Sequence, residues 1–91
     1  MNLELEELRE KINLVDNEIL ESLEERMELA KEVAELKKEN NMPIKDLKRE
    51  EEIISQRKLC TSLEGAFTES IMKVIIKESK KIQNKIINEE E

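Results

Sequence analysis

Eight polar side chains stand where simple packing would not place them, and their types limit the chemistry the chain can do. Arg26 falls on an otherwise apolar helical stripe, and Lys37 follows it eleven residues later. At about 100° per residue, Lys37 returns to within about 20° of the face that carries Arg26. Two cations then look onto one groove roughly 16 Å long, which suits a dianionic small molecule. Taken singly, Arg26 reads as a snorkelling arginine and Lys37 as a solvated lysine. Arg9 lies just past the stripe position Leu8, roughly 25 Å from Arg26 along the same rod. It either pairs with a nearby Glu6 or Glu10, or approaches Arg26 of a second, antiparallel chain. Asp46, Arg49 and Glu50 stand at i, i+3 and i+4, and on their own read as a helix cap with a surface ion pair. Ser79 and Gln83, again four apart, read as a hydrogen-bonded pair joining helices. The chain has no His and a single Cys. That removes Ser-His and Cys-His nucleophile pairs and leaves no basis for a structural zinc site.

Three helices must position these groups. From Leu3 to about Asn40 there is no Gly and no Pro, and Leu5, Leu8, Ile12, Val15 and Ile19 recur at spacings of three and four. This is a helical seam near the heptad period. Ser22 and Arg26 interrupt the seam before Leu29, Val33 and Leu36 restore it. Asn40-Asn41-Met42-Pro43 ends that helix, because Asn tolerates the left-handed conformation and Pro43 drives Met42 out of the helical region. Asp46 is a suitable N-cap for a short helix over 47–60, with Leu47, Ile53, Ile54 and Leu59 as its apolar positions. Thr61 to Gly65 is read as a turn. A third helix over 66–87 carries Phe67, Ile71, Val74, Ile75, Ile82 and Ile86 as its expected buried face, with Ser79 between Ile75 and Ile82. Residues 88–91 form an acidic tail. Cys60, near a helix end, is expected to be buried or half-buried. The fold class is all-α, with a long, a short and a medium helix in one domain spanning 1–91.

The long helix also implies a partner. About 38 residues make a rod of roughly 57 Å, whereas a compact chain of this size is roughly 30 Å across. A second copy covering the overhang across a two-fold axis makes a homodimer the default. The 91 residues carry a net charge of −7, with 43% charged and 1% aromatic residues, so no basic face offers itself to nucleic acid. No apolar run is long enough to span a membrane. With no signal-peptide pattern at the N-terminus and one cysteine, a reducing cytoplasm is expected.

Taken jointly, the residues resemble a known family. Leu8-Arg9-Glu10-Lys11-Ile12, Asp16, Glu25-Arg26, Glu28-Leu29-Ala30, Val33 and Lys37 are similar to the first helix of the all-helical chorismate mutases. Pro43-Ile44-Lys45-Asp46 with Arg49-Glu50 resembles that family's loop and second helix, and Ile75-Ile76, Ser79 and Gln83 resemble its third. The resemblance implies an intertwined homodimer of three-helix chains that converts chorismate to prephenate without a cofactor, at sites walled by both chains. By position, Arg26 and the partner's Arg9 would bind the substrate carboxylates. Lys37 and Gln83 would face the ether oxygen, and Lys37 would also lie near a carboxylate. Glu50 would take the ring hydroxyl near Asp46, Ser79 would help hold a carboxylate, and Arg49 would order Glu50. An isochorismate-pyruvate lyase on the same fold shares the arginines, lysine and glutamine but differs at the start of the second helix. From another class, a non-catalytic helical dimerisation module would tolerate Ala at Arg26 and Lys37.

Overall fold

The computed structural model describes residues 2–88. Three helices appear in the expected order: α1 over Leu3–Glu39, α2 over Leu47–Leu59 and α3 over Gly65–Asn88. Each boundary has a local cause. Asn2 caps α1 by accepting from the Leu5 amide at 3.0 Å. At the other end Asn41 takes a positive φ of 52°. The Met42 amide then donates to the Lys37 carbonyl at 2.8 Å and the Asn41 amide to the Lys38 carbonyl at 3.3 Å. These are the paired bonds of a Schellman motif, with Asn in the place usually taken by Gly. The Asp46 carboxylate caps α2 by accepting from the Arg49 amide at 3.0 Å.

The third helix departs slightly from expectation. Gly65 belongs to it rather than to the preceding turn, and the helix continues through Asn88. A side chain at Gly65 would begin 3.3 Å from the Lys58 Cε, so glycine lets the lysine stem cross there on its way to Glu69. Asn88 is therefore helical rather than part of a tail, and Glu89 to Glu91 lie outside the described residues.

α3 packs against both α1 and α2, whereas α1 and α2 do not pack on each other. The chain is extended, with a radius of gyration of 17.1 Å and a longest dimension of 59 Å. A compact chain of this length would have a radius near 12 Å. The excess comes from α1, whose residues from Leu3 to Ser22 are all exposed. The interior is small. Ala30 and Ala34 of α1 are buried because their short side chains let α3 come close, and Ile53 and Ile76 join α2 to α3.

One expected face, that of α3, is corrected, while the α1 seam, expected to meet a second copy, is uncovered in this chain. The seam residues Leu29, Val33 and Leu36 are exposed, as is Ile12 at 58%. The face of α1 that touches α3 is instead the adjacent one with Ala30 and Ala34. On α3 the buried residues are Thr68, Ile76, Ser79 and Gln83, while Phe67, Ile71 and Val74 are exposed, Val74 at 68%. Periodicity located the apolar stripes but could not say which of them this chain covers itself. Leu47 and Leu59 of α2 and the Cys60 thiol are also exposed. Cys60 is the C-cap of a short helix and has no packed neighbour layer over it.

Candidate active site

Because α1 and α2 are held apart, a cavity of about 240 Å³ opens between them with α3 as its floor. α1 supplies Arg26 and Lys37, separated by Ala30 and Val33. The start of α2 supplies Asp46, Arg49 and Glu50, and α3 supplies Ser79 and Gln83. All seven are among the eight residues singled out in the sequence. Helical repeat explains each set: positions 26, 30, 33 and 37 recur on one face of α1, and 76, 79, 80 and 83 on one face of α3. Arg9 does not reach the cavity of its own chain. It is exposed and lies 3.4 Å from Glu6, as a local pair along α1.

The polar groups are held in defined poses. The Lys37 ammonium donates to the Ile44 carbonyl at 3.0 Å, which ties the end of α1 to the loop before α2. Gln83, only 7% exposed, donates from Nε2 to the Ser79 Oγ at 3.0 Å. Its Oε1 is then buried without a hydrogen-bond partner. A half-turn of the amide exchanges the two ends. The Ser79 hydroxyl then donates to Oε1, and the NH₂ group takes the buried, unpartnered position as a donor. An acceptor atom on a bound molecule would satisfy it.

Arg26 sits in an electrostatically unfavourable place for a cation. Burial lowers its pKa from the ordinary arginine value, and the like charges of Arg57 and Arg49 lower it further. Arg26 makes no ion pair among the described residues. A partly desolvated guanidinium facing a cavity, crowded by two other cations, favours an anionic ligand. On the opposite wall Glu50 is paired with Lys80 of α3, with Nζ 3.1 Å from Oε2 and 3.3 Å from Oε1.

Lys80 is the polar wall residue that sequence reasoning missed. It lies four residues after Ile76 and three before Gln83, so the helical repeat could have placed it on the cavity face. Its neighbours Lys77 and Lys81 made it look like one more solvated lysine. The arrangement as a whole offers fixed cations, the buried neutral pair Ser79 and Gln83, and the carboxylates of Asp46 and Glu50 around a small cavity. It can bind and orient a compact polyanion and stabilise charge that develops on it. It holds no histidine or cysteine nucleophile.

Residues 8–84 match the family model described as chorismate mutase type II. A chorismate mutase of Methanocaldococcus jannaschii is 38% identical over 88 residues, covering 93% of this chain and 89% of that protein. A bifunctional chorismate mutase/prephenate dehydratase of Aquifex aeolicus is 47% identical over 53 residues, which are 58% of this chain and 15% of that protein. No solved structure gave a significant match.

Proposed function

The chain belongs to the type II chorismate mutase family and is an isomerase of aromatic amino-acid biosynthesis, and we propose that it converts chorismate to prephenate in the cavity between its three helices. The observation that carries this site assignment is convergence. Seven polar residues from three separate stretches of sequence line one cavity.

The chemistry fits groups of these types. In the rearrangement the ether C–O bond breaks as a C–C bond forms between the enolpyruvyl methylene and the ring, in one concerted step. The protein therefore has to hold the flexible enolpyruvyl arm over the ring, which saves conformational entropy. It also has to meet the negative charge that grows on the ether oxygen. Arg26 takes a substrate carboxylate, which relieves both its desolvation and its repulsion by Arg49 and Arg57. Ser79 helps to hold a carboxylate. Lys37 and the turned Gln83 amide donate to the ether oxygen, and Lys37 also lies near a carboxylate. Glu50 accepts from the ring hydroxyl, with Asp46 alongside and Arg49 on the same wall. Local cations of this kind let a protein of net charge −7 bind a dianion.

A second copy of the chain completes the site. The exposed stripe of Leu8, Ile12, Val15 and Ile19 supports a homodimer. So does an apolar trough of about 790 Å³ between α1 and α3, which includes Leu20, Leu23, Val74 and Ile75. Antiparallel α1 helices would bring the partner's Arg9 to the Arg26 cavity, where it would bind the second carboxylate after leaving Glu6. No helix among the described residues is long and apolar enough to cross a membrane. We propose a cytoplasmic location on a different ground, the single free cysteine, which suits a reducing compartment. The test is direct. The purified chain should consume chorismate and produce prephenate with a chelator present, and should form no salicylate from isochorismate. A folded protein that leaves chorismate untouched ends this reading.

A further inference from the structure

Lys80 has no part in the chemistry described so far, yet its pair with Glu50 is the only charge link across the cavity wall among the described residues. The α2 helix does not pack on α1, so its packing partner is α3. Several contacts fasten it there. Ile53 and Ile76 pack at the centre, Lys58 pairs with Glu69 at 3.1 Å towards the end of α2, and Lys80 pairs with Glu50 at its start. The last of these differs in kind. Both Glu50 oxygens lie within 3.3 Å of the Lys80 ammonium. The two side chains are 21% and 32% exposed, against 36% and 39% for Glu69 and Lys58. A pair withdrawn further from water is screened less and holds its geometry better.

We infer that Lys80 is a positioning residue: it fixes the Glu50 carboxylate for the substrate hydroxyl and neutralises a charge that would otherwise repel the substrate dianion. The inference rests on the assignment of this cavity as the chorismate site. Glu50 sits in the first turn of α2, and its long side chain has several rotamers open to it. A cation on the facing helix selects one. The same cation offsets Glu50 within a cavity whose occupant carries two carboxylates, where an unpaired carboxylate on the wall would oppose binding. Arg49 cannot substitute, since the next residue along a helix points about 100° away.

Four variants test this: Lys80→Ala, Lys80→Arg, Glu50→Gln and the double variant Lys80→Ala with Glu50→Gln. Lys77→Ala serves as a control that removes the same charge from α3 one turn away. Lys80→Ala should lower kcat/KM by about tenfold, the size of coupling that contacting charged groups show. KM should rise from the uncovered charge and kcat should fall from the mobile carboxylate. Lys80→Arg should restore most of the loss, and Lys77→Ala should change kcat/KM less than about twofold, as distant surface charges do. Once Glu50 is Gln, Lys80→Ala should have little further effect. Helicity at the assay temperature should stay the same throughout. An equal loss from Lys80→Ala in both backgrounds would overturn the inference while leaving the function intact, as would a loss matched by Lys77→Ala. A wild-type chain without turnover would instead fail the functional reading, and this inference with it.

Discussion

Replacing Gln83 by Glu should turn a catalyst that works at neutral pH into one confined to acid. Gln83 is buried and uncharged, so its amide can donate at any ordinary pH. Glu at the same position donates only while protonated. Burial disfavours the charged form and raises a carboxyl group above its ordinary value of about 4.3. Above that raised pKa the side chain becomes a carboxylate which, in the proposed site, would face the ether oxygen, where the transition state gathers negative charge. Losing a fixed donor of this kind costs about 3–4 kcal/mol, or roughly 10²–10³-fold in rate. The expected profile of kcat/KM is therefore near the wild-type value in acid, falling through a single ionisation to a low plateau at pH 8. Stability should move the same way. A group whose folded pKa is raised holds its proton longer in the native state. Its full stability is present below the unfolded value near 4.3 and is lost as pH rises, at about 1.4 kcal/mol for each unit between the two values. Chorismate consumption followed by absorbance across pH 4–9, with a thermal melt at each pH, measures both. Full activity of the variant at pH 8 would refute the donor role of Gln83, and a flat low profile would refute its protonation as the cause.

Arg26→Ala or Lys37→Ala should each lower kcat/KM by roughly 10²–10³-fold, the usual loss for one preorganised charge-stabilising donor, with helicity retained; unchanged turnover would favour a non-catalytic dimerisation module. Mixing Arg9→Ala chains with Arg26→Ala chains should recover activity, because a heterodimer would keep one site with both arginines; no recovery after verified subunit exchange would argue against sharing. Glu69 is held below its ordinary value of 4.5, first by a hydrogen bond from Lys73 and then by one from Lys58. A lowered folded pKa adds stability above 4.5 that is lost as pH falls through the folded value. Glu69→Gln should therefore melt below wild type at neutral pH and level with it at about pH 2, by circular dichroism.

Much of this molecule was legible in its sequence. Helix order followed from apolar spacing, since a helical stripe needs only local geometry. The break at Asn40 to Pro43 and the cap at Asp46 followed from backbone chemistry that acts within a few residues. Seven of the eight chosen polar residues reach one cavity because each group shares a helical face, a property fixed by counting. What counting could not decide was which face each helix turns towards its neighbours. α1 carries two usable faces, and packing against α3 selected the alanine face with Ala30 and Ala34, since small side chains permit the closest approach. The same choice left the leucine stripe exposed and turned Arg26 and Lys37 towards the cavity.

The tertiary arrangement also decided what no stretch of sequence contains. Lys80 meets Glu50 across thirty residues of chain only because α3 crosses the start of α2. Arg26 is crowded by Arg49 and Arg57 for a related reason, since α2 stands opposite it across the cavity. Local patterns determined which polar residues stand on apolar helix faces. Long-range packing determined the cavity in which those residues meet, because distances between separate helices depend on how their faces fit and not on the order of residues along any one of them.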